Sequence, residues 1–431
     1  MAGLQQNNYR TLSCACFSNQ TLASPITACS ISKWRRQNQH TQRILPNRLR
    51  ASNFLLLNIK EARGDESGVD TKGNAGLVLV MSDENPVRGR GAVSNPANRF
   101  ERLHLERDPD VEMEAQPAPQ TQFLKDKTAS VLTHNDSPDV GFDTSINPYR
   151  GCEHGCIYCY ARPTHEYLGF SAGLDFETRI LIKENAPELL RRELSSSKWK
   201  PREIALSSAT DCYQPAERRL RVTRRCLEVL AECRNPVGLI TKNFLVTRDI
   251  DLLQELARHQ AVTVCLSITS MDAELARVLE PRTSTPRQRF AAIETLAKAG
   301  VPVGVLVAPV IPALTDHDMI RIIRAAAAAG ARFAAYEVLR LPDGVKELFE
   351  EWLTVHAPGQ KEKVLNRIRA IRSGKLNDSQ FNTRMVGNGV FAEQIAKTFK
   401  VACHQAGLSR DFPAMSCAAF RRPQGTQLSF F

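Results

Sequence analysis

From residue 142 onward, short apolar runs alternate with longer segments whose apolar residues recur at helical spacing. The short runs predict strands at 142–147, 179–183, 203–208, 237–241, 261–268, 301–307 and 333–339. The longer segments predict helices at 186–196, 217–233, 247–258, 271–279, 286–299 and 316–329. This alternation is typical of βα units that share a parallel sheet. It predicts an α/β domain of roughly six such units over residues 141–341.

The segments on either side lack this alternation. Residues 342–407 predict a helical extension, and residues 408–431 predict an irregular tail. Residues 81–140 are polar and contain several prolines, so they predict an extended polar arm. Within this arm Arg88 and Arg90 could contact phosphate, but a solvated linker is the favoured interpretation.

Residues 1–80 show no sustained periodicity, which predicts a disordered leader. Residues 1–60 contain no Asp or Glu and eight Lys or Arg residues, so the leader superficially resembles an organelle transit peptide. Another interpretation is a mis-called upstream extension, with Met81 as the true first residue. Without residues 1–60, 49 basic residues stand against 46 acidic ones, and the net charge falls from +11 to +3. Global charge is therefore weak evidence for a nucleic-acid partner.

No apolar run approaches the ~18 residues of a membrane span, so no membrane association is predicted. The longest run, residues 301–311, is interrupted by Gly304 and Pro309 and predicts a buried strand. Twelve cysteines in 431 residues, three of them clustered, indicate a reducing, cytoplasmic location rather than a disulfide framework.

The clustered cysteines lie in the stretch Asn147-Pro-Tyr-Arg-Gly-Cys-Glu-His-Gly-Cys-Ile-Tyr-Cys-Tyr160. Cys152, Cys156 and Cys159 have the spacing C-x3-C-x2-C, and glycines before the first two let the loop curl. A structural zinc would need a fourth ligand, and no C-x2-C or H-x3-H pair lies nearby. Three thiolates on a four-iron cluster leave one iron open to a substrate or cosubstrate. The alternatives are a zinc site completed from afar, buried apolar thiols, or a disulfide with one leftover cysteine.

The spacing C-x3-C-x-aromatic-C, with Tyr158 as the aromatic, resembles the signature of the radical S-adenosylmethionine (SAM) superfamily. Tyr158 and Tyr160 on either side of Cys159 resemble the branch of spore photoproduct lyase and the DNA repair photolyase-like proteins. The resemblance covers about residues 140–340 and implies a partial (β/α)6 barrel. It also implies a [4Fe-4S] cluster and SAM as cofactors, and an electron donor such as flavodoxin or ferredoxin. One electron would cleave SAM to methionine and a 5′-deoxyadenosyl radical, which would abstract hydrogen from the substrate.

Reactive groups of an α/β barrel lie at the C-terminal ends of its strands. At these positions the resemblance implies Thr210 and Asp211 at the SAM amino group, because the glycine pair usual in the superfamily is missing here. It implies Lys242 and Ser267 near the SAM carboxylate or ribose, and Lys242 has an electrostatic reason to be there, since it neutralises a carboxylate. An ordinary loop position is the alternative for each.

Other positions near the predicted mouth are weaker candidates. Pro309 and Glu337 lie at strand ends and are expected to line the pocket. The resemblance implies that Tyr158 packs at the adenine side and that Tyr160 takes part in radical transfer or in packing.

Cys212 bears on the exact reaction. In the lyase a cysteine returns a hydrogen atom, and alignment at Thr210 puts Ser208 at that place in this chain. Cys212 could substitute for it, although a small buried thiol is the favoured alternative. The class of chemistry is therefore expected to carry over, and spore photoproduct repair is not.

The helix after Asp211 is rich in arginine, with Arg218, Arg219, Arg221, Arg224 and Arg225. Phosphate contacts by these side chains would suit a nucleic-acid substrate, and a solvated face is the alternative. Three functions are consistent with the sequence. They are radical SAM chemistry on nucleic acid, the same chemistry on a protein or metabolite, and a non-catalytic binding protein stabilised by a metal.

The last five residues, Gln427-Leu-Ser-Phe-Phe431, resemble the Q-L-[SD]-L-F motif that binds the bacterial sliding clamp. Phe430 stands where that motif has leucine. A sliding clamp is therefore a candidate partner through Gln427–Phe431. The alternative is that these apolar residues pack on the core of the protein itself.

Overall fold

A seven-stranded sheet forms the centre of the fold, which a computed structural model describes for residues 87–100 and 119–423. The strands are β1 Gln122–Lys125, β2 Leu132–His134, β3 Thr144–Ile146, β4 Tyr149–Arg150, β5 Arg179–Ile182, β6 Ile204–Leu206, β7 Val237–Thr241, β8 Val262–Ser267, β9 Val303–Val310 and β10 Phe333–Val338. The large sheet has the order β10-β9-β8-β7-β6-β3-β2. Strands β3, β6, β7, β8, β9 and β10 pair in parallel, and β2 is antiparallel to β3 at the edge.

Helices connect these strands and continue beyond them. The α-helices are α1 Leu174–Thr178, α2 Ala186–Ser195, α3 Glu217–Leu220, α4 Val222–Cys233, α5 Ile250–Arg258, α6 Ala273–Leu279, α7 Pro286–Lys298, α8 Met319–Ala328, α9 Val345–His356, α10 Lys361–Ile371 and α11 Gly389–Ala406. Short 3-10 helices lie at Arg162–Leu168, Phe244–Asp249, Asp316–Asp318 and Pro358–Gln360. The predicted α/β fold, a partial (β/α)6 barrel with a helical C-terminal extension, is confirmed. No helix in the described ranges is long and apolar enough to cross a membrane.

Two details of the predicted barrel are wrong. The strand predicted at 179–183 exists as β5, but it pairs with β1 and β4 in a separate three-stranded sheet. It therefore supports the segment around the cysteines rather than the barrel wall. The helix predicted at 217–233 is broken at Arg221, whose φ of 51° is left-handed and ends α3 before α4 begins.

Burial explains why the central strands are mostly apolar. Every residue of β8 is buried, and its neighbours in the sheet are mostly Val and Leu. A parallel strand covered on both faces needs a nearly continuous apolar run. Gly304 permits close approach between β9 and β10, because an added Cβ would lie 2.4 Å from the ring of Phe333.

Two irregular segments outside the barrel make specific contacts with it. From here on, the arm means residues 87–100 only, and the strap means residues 378–388, between α10 and α11. The strap joins the two edges of the large sheet. Met385 O accepts a hydrogen bond of 2.8 Å from Val338 N at the end of β10, while Asn382 N donates to Asp139, in the loop between β2 and β3, at 2.6 Å. Arg384 also pairs with Asp139.

The flanking segments differ in part from the prediction. Residues 119–140 contain β1 and β2, so this stretch has more regular structure than the predicted polar arm. The described part of the tail, residues 408–423, adds a bridge to β10, in which Ala334 N donates to Ser409 O at 2.8 Å. The predicted leader, residues 1–80, and the clamp-like motif at 427–431 lie outside the described residues.

Candidate active site

The cysteine loop, residues 151–160, begins directly after β4. Gly151 and Gly155 have positive φ values of 80° and 66°, which glycine adopts without strain. Consecutive tight turns follow, since Cys159 N donates to Cys156 O at 3.2 Å and Gly155 N donates to Cys152 O at 3.3 Å. These turns bring all three thiols to the wall of one cavity of about 580 Å³.

The donor set fits an iron–sulfur cluster. Burial raises the pKa of Cys152, Cys156 and Cys159, so by themselves they are neutral thiols, and a cluster would supply the positive charge that thiolate ligands need. All three are free of disulfides, against the disulfide alternative. In the described ranges no three His, Cys, Asp or Glu side chains are grouped to ligate one metal ion. A cluster does not need such a group, because each cysteine holds a different iron.

Asp211 lies at the C-terminal end of β6 and organises the neighbouring strand end. Its carboxylate accepts hydrogen bonds of 2.8 Å from the hydroxyl of Thr241 and from the backbone N–H of Lys242. His154, in the cysteine loop, lies 3.3 Å from the same carboxylate. Burial alone would raise the pKa of Asp211, but His154 and the backbone donors lower it. Asp211 therefore joins the cysteine loop to β7 as an anion.

Lys242 lies directly after β7 and points to the end of the next strand. Its Nζ is 2.6 Å from Ser267 Oγ, 2.9 Å from Ala308 O and 3.3 Å from Glu280 Oε1. Two of the three donors of this ammonium are therefore hydrogen-bonded, and Glu280 is its ion-pair partner. Tyr158 lies nearby, with its ring centre 5.8 Å from Lys242 Nζ.

Glu280 is a buried carboxylate that Lys242 and several neighbouring side chains contact. Its carboxylate accepts hydrogen bonds from Tyr158, from Thr269 at 2.6 Å, and from Arg289, which is itself buried. Burial alone would raise the pKa of Glu280, but the charges of Arg289 and Lys242 hold it well below its usual range. Glu280 is therefore an ionised group with two cationic partners.

Thr210 and Pro309 also line the cavity. The Thr210 hydroxyl donates to Tyr149 O at 2.8 Å, so it braces β4. Asn147 supports the same turn, because its amide oxygen accepts from Ala209 N at 2.9 Å. Pro309 follows Ala308, whose carbonyl oxygen accepts from Lys242, from Ser267 Oγ and from Thr269 Oγ1.

The outer part of the cavity is more exposed. Tyr160, with 40% of its surface exposed, donates its hydroxyl to Ser208 O. The guanidinium of Arg340 lies 4.3 Å from the centre of the Tyr160 ring and donates to Glu337 at 2.6 Å. Arg384 and Met385 of the strap complete this part of the lining. We call Tyr160, Glu337, Arg340 and Arg384 the rim.

Cys212 and the arginines of α3 and α4 lie elsewhere. Cys212 is fully buried in the apolar core and is not among the residues that line the cavity. This position fits the buried-thiol alternative and gives no support to a role as hydrogen donor. Arg224 pairs with Asp249 and Asp251 at 2.9 and 2.8 Å, so it is not free for phosphate. Arg219 lies over the ring of Phe123.

The structure adds site residues that the sequence did not indicate. They are Asn147, His154, Thr269, Glu280, Arg289, Arg340 and Arg384. Asn147 and His154 stand inside the cysteine stretch, and that proximity was the available signal. Glu280 and Arg289 come from the segment after β8, where nothing in the pattern separates them from ordinary surface charges.

Comparison with known proteins supports the class of protein that the cysteine spacing indicated. Residues 146–326 match the model of the Radical SAM superfamily. An uncharacterised protein of Mycobacterium tuberculosis is 40% identical over 214 residues, which are 49% of this chain and 63% of that protein. An uncharacterised protein of Methanocaldococcus jannaschii is 30% identical over 175 residues, covering 41% of this chain and 63% of that protein. Spore photoproduct lyase complexed with dinucleoside spore photoproduct is similar in structure, with a TM-score of 0.50, 16% identity, and coverage of 67% of this chain and 81% of the lyase.

The match, the cysteine spacing and the partial barrel together define residues 146–326 as a radical SAM domain. Members of this superfamily use a [4Fe-4S] cluster and SAM, and they need a reductant. The likeness to the lyase shows the fold. The chain spans less than two thirds of the length of the curated relatives it matches.

Proposed function

We propose that this chain binds a [4Fe-4S] cluster through Cys152, Cys156 and Cys159 and SAM in the adjoining cavity, and that it abstracts hydrogen from a substrate held at the rim. The observation that carries the proposal is one cavity lined by all three thiols together with Asp211, Lys242 and Ser267. A bound cluster supplies the electron that cleaves SAM, and the protein binds and orients the reactants.

The residues of the chain support distinct tasks. Asp211 is an anion next to the cysteine loop, which suits the SAM amino group. Lys242 suits the SAM carboxylate, and its ammonium would turn towards it by giving up one of its present contacts. Its contact with Glu280, at 3.3 Å, is the longest and the easiest to give up. Arg289 then remains as the partner of Glu280.

Tyr160 and Pro309 are proposed to contact the reactants. Tyr158 is proposed to position the polar groups around Glu280, and Thr210 to hold the turn after β6. Tyr160, the last residue of the cysteine loop, lies against Arg340 at the exposed end of the cavity. A phenol at this place can contact the substrate or take part in radical transfer. Tyr158 is held by Glu280 and Thr269, so its hydroxyl is already satisfied.

Nucleic acid is the substrate class we favour, and a protein or metabolite is the alternative. The structurally similar lyase is complexed with a dinucleoside lesion, which motivates this choice. The paired state of Arg224 weighs against a phosphate surface on α4. The substrate is instead proposed to be held at the rim, because the rim residues line the cavity. A sliding clamp, through Gln427–Phe431, and flavodoxin or ferredoxin as electron donor are the proposed partners.

The test begins with the metal. Anaerobically purified protein should be brown and contain iron and sulfide in equal amounts, and Cys156→Ala should lose most of the iron. Stoichiometric zinc without sulfide would contradict the proposal. The loaded protein is then incubated with SAM, dithionite and either DNA, RNA or cell extract. A product that forms only with DNA or RNA supports the nucleic-acid substrate.

The clamp partner has its own test. A peptide of residues 419–431 is titrated against a bacterial sliding clamp, with Gln427→Ala and Phe431→Ala peptides as controls. Binding of the native peptide alone supports the partner. Equal affinity of all three peptides would rule out the clamp as a partner through this motif.

A further inference from the structure

The arm covers the outside of the cysteine loop at an Arg-Gly repeat, Arg88-Gly89-Arg90-Gly91. The first Arg-Gly pair is exposed, whereas Gly91 in the second is buried. At Gly91 the two backbones touch. A Cβ added there would lie 1.8 Å from Gly155 O and 3.3 Å from Ile157 N, so no other residue fits without moving one of the two chains.

A buried carboxylate joins the arm to the loop. Glu177, fully buried, accepts hydrogen bonds from Gly91 N at 3.0 Å and from Ala92 N at 2.9 Å. Arg162, also fully buried, donates to the same carboxylate at 2.5 Å. Arg162 also donates to Cys156 O at 2.9 Å and to Gly155 O at 3.3 Å, while its Nη1 donates to Ala172 O and Gly173 O. The contacts therefore run from the arm through one ion pair to two carbonyls inside the cysteine loop.

Arg90 makes a second connection. Its guanidinium donates to Glu177 O at 3.0 Å and to Thr121 Oγ1 at 3.2 Å. Thr121 in turn donates to the carboxylate of Glu153, inside the cysteine loop, at 2.9 Å. The arm thus reaches the loop at two points between Cys152 and Cys156, at Glu153 and at Gly155.

We propose that Arg90 and Gly91 are positioning residues for the metal centre, which set the spacing of the three thiols by clamping the cysteine loop from outside. The inference rests on the proposed function, because it needs a cluster on those thiols. The loop is glycine-rich and short, so its own backbone does not fix it in one conformation. Groups that orient ligands from outside the ligand set commonly change metal affinity by about 10- to 100-fold when removed. The arm is therefore part of the cofactor site rather than a linker.

The Arg-Gly repeat supplies its own controls. Gly91→Ala forces a Cβ into Gly155 O, whereas Gly89→Ala meets nothing within 4 Å. Gly89 has a φ of 74°, so Gly89→Ala introduces backbone strain but no steric clash. It therefore tests whether strain alone, without the clash, affects the metal centre. Arg90→Ala removes the hydrogen bonds to Glu177 and Thr121, whereas Arg88 is exposed and Arg88→Ala leaves the loop untouched.

The four full-length variants are reconstituted anaerobically beside the wild type. Iron per chain, the rate of cluster loss to a chelator and the electron paramagnetic resonance spectrum of the reduced cluster are measured. The melting temperature of each metal-free variant is measured in parallel. We expect Gly91→Ala and Arg90→Ala to lose the cluster about tenfold faster or more, and to alter the spectrum. Gly89→Ala and Arg88→Ala should behave as the wild type does.

Each outcome has one meaning. Cluster retention and spectra equal to the wild type in both Gly91→Ala and Arg90→Ala would overturn the inference. A lower melting temperature with an unchanged cluster would also overturn it, because that is the result of a purely structural contact. If Gly91→Ala does not fold, Arg90→Ala decides by the same readouts. A wild type that takes up no iron and sulfide would instead contradict the proposed function.

Discussion

The floor and the rim of the cavity are built in different ways. The floor consists of Asp211, Lys242 and Ser267, with Glu280 as the buried partner of Lys242, and it lies at the ends of adjacent parallel strands. Its polar groups are hydrogen-bonded before any ligand arrives. The rim is more exposed, and its Arg384 comes from the strap, outside the barrel.

This difference separates two requirements of a radical enzyme. A floor fixed by strand register holds the same groups whatever the substrate, which suits a cosubstrate used by a whole superfamily. Arg384, the part of the rim that the strap supplies, can change without altering the strand ends that carry the floor. We therefore expect substitutions in the floor to alter stability and SAM binding, and substitutions in the rim to leave both nearly intact.

The largest effect is expected at Glu280. Glu280→Gln removes the buried negative charge shared by Arg289 and Lys242, and loss of one partner of a buried ion pair costs about 3–5 kcal/mol. The free energy of unfolding in urea should fall by that amount. Glu274→Gln is the matched control, since Glu274 pairs with Arg277 at the surface and its loss should cost at most about 1 kcal/mol. Equal effects of the two variants would show that the floor is not specially stabilised.

A smaller effect, on SAM binding, is expected at Lys242. Lys242→Met leaves Glu280 paired with Arg289, so the fold should survive, but it removes the cation that we propose for the SAM carboxylate. Affinity for SAM, measured by anaerobic calorimetry on the loaded protein, should fall by about 1–3 kcal/mol. Lys298→Met, at an exposed helix end, is the control. Unchanged affinity in Lys242→Met would remove this residue from the SAM site.

The smallest effect is expected at the rim. Arg384→Ala breaks the pairing of the strap with Asp139, while Asn382 N still donates to that carboxylate. The free energy of unfolding should fall by about 1 kcal/mol, the usual value of one hydrogen-bonded contact, and SAM affinity should stay the same. Arg369→Ala controls for loss of a partly exposed arginine, since Arg369 in α10 donates to Asn366 and lines no part of the cavity. A large loss of SAM affinity in Arg384→Ala would erase the distinction between floor and rim.

The part of the site that the sequence could predict is the part carried by strand ends. Lys242 and Ser267 stand at the ends of apolar runs, and parallel strands place their ends side by side, so their proximity was predictable. Glu280 and Arg289 lie on opposite sides of the loop between α6 and α7, and only the packed structure brings them together. The sequence did not indicate the role of Gly91 either. Glycine is needed there because the backbone of Gly155, 64 positions further along the chain, lies against it.

The departures at β5 and Arg221 have a similar cause. A short apolar run predicts a strand but not the sheet that the strand joins, and β5 joins the small sheet because β1 and β4 are its neighbours. The break at Arg221 was hidden because arginine is a good helix former and rarely has a positive φ.

The central claim is that the thiols and the floor of one cavity act together on SAM. It is tested most directly by measuring 5′-deoxyadenosine chromatographically after the reduced, cluster-loaded protein is incubated anaerobically with SAM and no substrate. Wild type should release 5′-deoxyadenosine slowly, and Cys156→Ala should release none. A protein that carries a full cluster and binds SAM, yet forms no 5′-deoxyadenosine with either dithionite or reduced flavodoxin, would contradict the claim.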